Sequence, residues 1–163
     1  MDTARLQNLL LTFEGRIGPM SLMQGTLIIF IVNAILQLLT LAIPFIGILA
    51  LALLYPMFCI YAKRFHDGGK PAIWTLAVLG GMIVANLVLA ALMLPFLMGS
   101  AMSASANGMA TSVTFTSVLA GIIIAAIVQF GAAFIVNQVV KSDPAPNSYG
   151  APVADAASIN PLN

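Results

Sequence analysis

Two long stretches of the chain contain no charged side chain, residues 17–62 and residues 71–140. Placing a Lys or Arg at the centre of a transmembrane helix costs about 2.5–3.5 kcal/mol on insertion scales, so long charge-free tracts are what a bilayer requires. The chain is 61% hydrophobic and 7% charged, whereas soluble domains are roughly 45–50% apolar and about 25% charged. These features argue against a water-soluble domain and predict an all-α, multi-pass membrane protein.

The first tract is long enough for two membrane spans. A single helix over residues 17–62 would be roughly 70 Å long, about twice what a hydrocarbon core of about 30 Å needs. A turn is predicted at residues 43–47, where a proline disfavours helix at the preceding residue and a glycine eases the reversal. We therefore predict spans at about 21–42 and 45–62. The alternative, one tilted or re-entrant element, would put Arg16 and Lys63 on opposite sides of the membrane.

The second tract divides at residues 99–114, which are rich in Gly, Ser, Thr and Asn. This composition favours a loop over a span. The apolar runs on either side predict two further spans, at about 72–98 and 115–140, so the domain at residues 1–140 has four transmembrane helices.

The distribution of positive charge predicts the orientation of these spans. With four spans, the N-terminus, the segment between the second and third spans and the C-terminal tail lie on one side. These regions carry all 6 Lys and Arg residues. The positive-inside rule then places both termini in the cytoplasm.

The two ends of the chain predict different structures. Apolar residues near the N-terminus recur at helical spacing, which favours a short interfacial helix on the membrane, with a frayed tail as the alternative. These residues are Leu6, Leu9, Leu10 and Phe13. Residues 141–163 are rich in Pro, Ala, Asn and Ser without an apolar period, which predicts a disordered cytoplasmic tail.

The scarcity of reactive side chains removes several classes of function. One cysteine (Cys59) and one histidine (His66) leave no cysteine-based zinc site and no multi-histidine metal site within the chain, and a net charge of +1 gives no indication of nucleic acid binding. No metal, cofactor or catalytic group is predicted.

Within the spans the polar side chains are amides and hydroxyls, including Asn33, Gln37, Asn86 and Gln129. We expect these amides to bond between helices, and the absence of a mid-membrane acid or base argues against proton-coupled transport.

The most informative segment is the predicted loop at residues 63–70, followed by Pro71 and Trp74. Its simplest interpretation is a basic topogenic loop, with Trp74 at headgroup level. Its Lys and Arg side chains could instead bind anionic lipid headgroups. A third hypothesis makes His66 and Asp67 a proton-handling pair, although no nucleophile or second base accompanies them.

Small residues four apart predict close helix packing, within the chain or between copies of it, with packing within the chain favoured. They are Ala77, Gly81 and Ala85 in the third span, and Gly121 and Ala125 in the fourth.

Three short motifs resemble the DUF805 family of small bacterial inner-membrane proteins of unknown function. The family pattern has Phe-x-Gly-Arg near the N-terminus, a basic-basic-Leu-His-Asp-x-Gly-Lys loop, and Asn-x-Tyr-Gly after the last span. The matching residues are Phe13, Gly15 and Arg16; Arg64, His66, Asp67, Gly69 and Lys70; and Asn147, Tyr149 and Gly150. The chain departs from the family at Gly18, Pro19 and Met20, where a second arginine and an aromatic pair are usual. The resemblance implies a fold and a bacterial inner-membrane location, and no activity.

On the predicted topology these motifs share the cytoplasmic side, where they could form one polar patch. We expect an ion pair between Arg16 and Asp67, and helix capping by Asn147 or Tyr149. The patch comprises Gly15, Arg16, Lys63, Arg64, His66, Asp67, Gly69, Lys70, Trp74, Asn147, Tyr149 and Gly150.

Three functional hypotheses follow from these observations. The first is a noncatalytic scaffold or accessory subunit that docks lipid or a membrane protein partner through the patch. The second is a small oligomeric transporter or channel, which a cavity lined by the amides of Asn33, Gln37, Asn86 or Gln129 would favour. The least favoured is a membrane enzyme using His66 and Asp67, which a cavity converging on His66 would favour.

Overall fold

The computed structural model describes residues 3–106 and 110–153. These residues form α-helices and one 3₁₀ helix, and they contain no β-strand beyond an isolated bridge between Asn147 and Gly150. The elements in order are α1 (Thr3–Leu11), α2 (Pro19–Leu39), a 3₁₀ helix (Pro44–Leu53), α3 (Leu54–Asp67), α4 (Trp74–Ala106) and α5 (Ala110–Val139).

Four helical segments of the described residues are long and apolar enough to cross a membrane. They are Pro19–Leu39, Phe45–Asp67, Trp74–Gly99 and Phe115–Val139. The prediction of an all-α protein with four candidate spans is confirmed.

The reversal after the first span lies earlier than predicted. Residues 40–43 form the turn, and Pro44 opens the 3₁₀ helix, so most of the predicted turn at 43–47 is helical. Ile43 is extended at φ −132° and ψ 90°, because a following proline disfavours helical backbone. Helix continues without interruption into α3 and on to Asp67. The predicted loop at residues 63–70 is therefore helical over its first five residues, which is a correction.

The predicted loop at residues 99–114 is also wrong over most of its length. Helix α4 continues to Ala106 and α5 begins at Ala110, while residues 107–109 lie outside the described part of the chain. The physical reason is that residues 100–106 contain only Ala, Ser and Met, without Gly or Pro. These residue types cost a helix at most about 0.7 kcal/mol each relative to Ala, so a well-formed helix continues through them.

The helices pack around a core at the centre of the bundle. Both α2 and α4 pack against α5, α3 packs against α2 and α4, and α1 lies on α3. Phe30 and Phe130 join α2 and α5 edge to face, with ring centroids 5.5 Å apart. The buried core side chains include Leu22, Ile29, Met57, Ile60, Tyr61, Val128, Ala133 and Val136.

The small residues of α4 and α5 differ in what they contact. A Cβ at Gly121 of α5 would lie 2.6 Å from Oε1 of Gln37 in α2, so this glycine permits close helix approach within the chain. A Cβ at Gly81 of α4 would meet no atom within 4 Å. Packing within the chain therefore accounts for Gly121 and for Ala85, which packs against the core, whereas the space beside Gly81 is empty.

A helix is present near the N-terminus as α1, so residues 3–11 are not a frayed tail, and its position at the membrane interface stays a prediction. Leu9 is buried and Leu10 packs against the core, whereas Leu11 and Phe13 are about half exposed. One side of α1 is thus attached to α3 and the adjoining segment remains open to the surroundings.

Candidate functional site: a clamp of buried charges

Three segments that are distant in sequence meet at one end of the bundle. They are residues 14–18 before α2, the last turn of α3, and residues 140–150 after α5. We call this the charged end, and we call the polar contacts among the three segments, together with those that Lys63 makes with the end of α1, the clamp.

Asp67 is the centre of the clamp. Its Oδ1 lies 3.0 Å from Nη2 of Arg16 and accepts from Nε of Arg16 at 3.1 Å, while its Oδ2 lies 2.6 Å from Nη1 of Arg64. All three side chains are 1% exposed. The predicted ion pair between Arg16 and Asp67 is therefore confirmed. The second pair was not predicted, although a helical interpretation of this segment would have placed Arg64 and Asp67 on one face, three residues apart.

One carboxylate cannot neutralise two guanidinium groups, and backbone carbonyls complete the site. Arg16 donates from Nη1 to the carbonyls of Ala145 (2.9 Å) and Gly150 (3.3 Å), and from Nη2 to those of Asp67 (3.2 Å) and Asp143 (2.5 Å). Charged groups buried from water need such partners, because desolvation is otherwise strongly unfavourable. Arg16 thereby fixes the C-terminal segment to the bundle.

Arg64 makes the corresponding contacts with α5 and the residues that follow it. Its Nε donates to Oδ1 of Asn137 (2.9 Å), Nη1 donates to Oγ of Ser142 (3.1 Å), and Nη2 donates to the carbonyl of Val140. Cations suit this position because carbonyls at a helix C-terminus lack intrahelical donors. Asn137 also donates from Nδ2 to the carbonyl of Pro19 at 3.2 Å. Sequence reasoning left Asn137 out of the patch, although it is an amide at the end of a span.

Lys63 attaches the end of α1 to α3 in the same way, through hydrogen bonds to backbone carbonyls. Its Nζ donates to the carbonyl of Asn8 and to that of Leu9 (3.3 Å), both in the last turn of α1. Like Arg64, Lys63 is 1% exposed. Hydrogen bonds and an ion pair inside the protein compensate the charges of Lys63 and Arg64, so the hypothesis that these two side chains bind lipid headgroups is wrong. Of the three cations considered, only Lys70 is not buried.

His66 and Tyr149 form an aromatic stack within the clamp. Their ring centroids lie 3.8 Å apart with an interplanar angle of 3°. Nδ1 of His66 lies 3.2 Å from the carbonyl of Gly15. Asn147 donates from Nδ2 to the carbonyl of His66 at 3.1 Å, so the predicted helix cap is present at Asn147, whereas Tyr149 contributes the stack.

The prediction of a disordered tail is wrong for residues 141–153, and residues 154–163 lie outside the described part of the chain. Asn147 and Gly150 pair through two backbone hydrogen bonds of 3.1 Å, which closes a tight turn. The tail lacks an apolar period because polar contacts with Arg16, Arg64 and His66 hold it, and hydrophobicity patterns cannot detect such contacts.

The motif glycines serve the turns that bring these segments together. Gly69 follows α3 at φ +68°, a left-handed conformation that other residues adopt at a cost. Gly15 (φ +90°) and Gly150 (φ +134°) also have positive φ. A Cβ at Gly68 would lie 2.6 Å from Cγ1 of Val140, so this position must remain small.

Two predicted patch residues do not join the clamp. Lys70 is half-buried beside it, and Trp74 opens α4 with 55% of its surface exposed. Within the described residues, no group of three or more His, Cys, Asp or Glu side chains could hold a metal ion. The clamp's polar atoms are directed at one another, which is an arrangement that holds a fold together.

A second polar feature lies midway along the spans. A cavity of about 130 Å³ is bounded by α2, α3, α4 and α5, and three amide side chains line it, those of Asn33, Asn86 and Gln129. Asn86 donates to the carbonyl of Met82 at 2.8 Å. Oε1 of the buried Gln129 has no hydrogen-bond partner among the described residues. Gln37, the fourth amide whose presence in such a cavity would have favoured a transporter, does not line it.

The four apolar helices and the clamp define a multi-pass α-helical membrane protein whose chain segments are fastened together at one end. Comparison with protein families identifies the family of this membrane protein. A family model described as "Protein of unknown function (DUF805)" matches residues 10–151, and the chain belongs to this family. No curated protein matches the chain, and no solved structure matches it.

Proposed function

We propose that the chain is a noncatalytic protein of the bacterial inner membrane that acts as a scaffold or an accessory subunit. The observation that carries this proposal is the saturation of the clamp. Arg16, Arg64 and Asp67 bond to one another and to backbone carbonyls, and His66 is stacked on Tyr149. A membrane enzyme using His66 and Asp67 has the least support, because both groups are occupied in holding the fold.

The proposed orientation has both termini in the cytoplasm. Its support is that the cations of the clamp, together with Lys70 and Lys141, all lie at or beside the charged end, as the positive-inside rule expects of a cytoplasmic surface. Helix α1 would then lie in the cytoplasmic interface, with two half-exposed apolar residues, Leu11 at its end and Phe13 just after it.

A partner would dock on the exposed rim of the charged end rather than on the clamp. Glu14 and Lys141 are exposed at this rim, on the segments that precede α2 and follow α5. Exposed charges of this kind influence association and partner selection, because they remain accessible to a partner at the surface.

A C-terminal green fluorescent protein fusion tests the orientation and the scaffold role together. The fusion is expected to fluoresce, because this reporter folds in the cytoplasm, and to recover one protein in a fixed ratio after mild detergent extraction. Exchanging the rim charges (Glu14→Lys with Lys141→Glu) is expected to reduce recovery by about tenfold, equivalent to about 1.4 kcal/mol. Phe45→Ala is the control, since Phe45 is 88% exposed and distant in sequence from the charged end.

A dark fusion would overturn the orientation. Recovery of the same proteins from membranes without the fusion would overturn the scaffold role, and recovery unaffected by the charge exchange would overturn docking at the rim.

The amide-lined cavity favours a second candidate function, a small oligomeric transporter or channel. Transporter sites lie near the bilayer midplane. Asn86 lies near the middle of its span, so the cavity is at a suitable depth. Three neutral amides can donate and accept hydrogen bonds, so an uncharged polar solute suits this cavity better than an ion.

Proteoliposomes loaded with buffer test this candidate by stopped-flow light scattering. If the cavity lies on a permeation path, urea or glycerol should enter faster than into empty liposomes, and Asn86→Leu or Gln129→Leu should abolish the difference. Gln37→Leu is the matched control, because it removes an amide outside the cavity. Uptake equal to that of empty liposomes would rule against the transporter.

A further inference from the structure

A continuous groove runs along the outside of the bundle between α4 and α5. It consists of two adjoining cavities of about 450 and about 440 Å³, which share Val78, Ile135 and Val136 in their walls. The groove begins at Lys70 and Trp74 and ends at Leu89. Trp74 and Leu89 are fifteen residues apart on one helix, which corresponds to about 22 Å. The groove thus follows more than half of the α4 span, starting from the charged end.

Glycines on the two facing helices keep this groove open. Gly81 of α4 and Gly131 of α5 both line it, and a Cβ at either position would meet no atom within 4 Å. Glycine within a helix is destabilising by roughly 0.5–1 kcal/mol relative to Ala. Since packing within the chain does not require either glycine, their effect is the empty space that they leave.

The groove has one charged residue in its walls, at its mouth. The other lining side chains are apolar, and Lys70 lies where the groove reaches the charged end. The ion pairs of the described residues occupy Arg16 and Arg64, and Lys63 caps α1, whereas Lys70 takes no part in those contacts. Trp74, at the same level, is more than half exposed, as aromatic side chains in the headgroup region are.

We propose that this groove binds one acyl chain of an anionic phospholipid, with the lipid phosphate held by Lys70. The apolar walls match a hydrocarbon chain, and the single cation at the mouth matches a phosphate. A second copy of the chain is the less suitable occupant, because the same groove on a symmetry-related copy would offer another Lys70 rather than an anion. This inference goes beyond the proposed scaffold role and rests only on the proposed position of the charged end at the membrane surface. It does not depend on a protein partner.

The full-length protein, reconstituted in vesicles of phosphatidylglycerol and phosphatidylethanolamine and released in mild detergent, tests the proposal by native mass spectrometry. We expect one retained lipid per chain, with phosphatidylglycerol enriched about fivefold over the vesicle composition, the effect of one basic residue near an anionic surface. Lys70→Gln should abolish the enrichment and leave a lipid bound. Gly81→Leu with Gly131→Leu should abolish retention itself.

Gly80→Leu is the matched control. Gly80 precedes Gly81, a Cβ there also meets no atom within 4 Å, and it does not line the groove. Retention that survives in the double leucine variant, or enrichment that survives in Lys70→Gln, would overturn the proposal. A dimer that dissociates in the double variant would also overturn it, by assigning the groove to a second copy. Loss of a protein partner in the rim-charge variant bears on the scaffold role alone, so the two proposals fail separately.

Discussion

Replacing Asp67 with Asn is expected to destabilise the protein by about 3–5 kcal/mol, the usual cost of removing one partner from a buried charge cluster. Asp67 supplies the carboxylate for both Arg16 and Arg64, and all three side chains are 1% exposed. The neutral amide would leave two guanidinium groups buried without an anion. For a chain of this length the apparent melting temperature should fall by roughly 10 °C.

The protein contains its own reporter for this measurement. Cys59 is the single cysteine and is 0% exposed in α3, so a thiol-reactive dye in a thermal ramp becomes fluorescent as the fold opens. Asp143→Asn is the matched control. The Asp143 carboxylate accepts from the backbone of Ala145 at 3.0 Å and forms no ion pair with the clamp arginines. We expect its effect to stay within about 0.5 kcal/mol. Equal midpoints for the two Asn variants would show that Asp67 does not hold the clamp.

Ending the chain at Lys141 is the second large effect that we expect. This truncation removes the carbonyls of Asp143, Ala145 and Gly150 from Arg16. It also removes Tyr149 from the face of His66. Hydrogen bonds to charged groups contribute about 1.5–3 kcal/mol each, and water entering the opened site replaces part of that. The expected loss of stability is therefore about 3 kcal/mol or more.

Ending the chain at Val153 provides the control for the truncation. It retains every tail contact described above and removes only residues 154–163. Its melting temperature should match that of the full chain, whereas the chain ending at Lys141 should expose Cys59 at a lower temperature. If both shortened chains melt with the full-length protein, the tail is not part of the clamp.

The clamp also changes how the family motifs are understood. As a sequence, residues 63–70 suggest a basic surface loop, with charges free to meet headgroups. In the fold, most of this segment is the end of α3, and Lys63 and Arg64 point their charges at the carbonyls of α1 and of the residue that follows α5. The motif therefore holds together segments separated by 51 residues or more. Lys70 and Trp74, the two patch residues outside the clamp, are those at the mouth of the groove between α4 and α5.

The sequence alone was sufficient for the four candidate spans, the gathering of charges at one end of the bundle and the pairing of Arg16 with Asp67. The bilayer imposes the first two locally, since a charge within a span is costly wherever the other helices lie. The pairing followed once the topology placed both residues on one side. Helix continuity through residues 100–106 was misjudged, because a polar composition alone does not end a helix over a stretch that contains neither Gly nor Pro.

The tertiary structure decided which charges are buried, that the tail folds back, and that Gly121 permits close packing within the chain while Gly81 opens a groove. Each of these depends on contacts between residues far apart in the chain. In the sequence, a lysine or arginine looks the same whether it is buried, exposed at the surface or capping a helix. Only the carbonyls and carboxylates that surround it in three dimensions distinguish them, because those partners determine whether its desolvation is compensated.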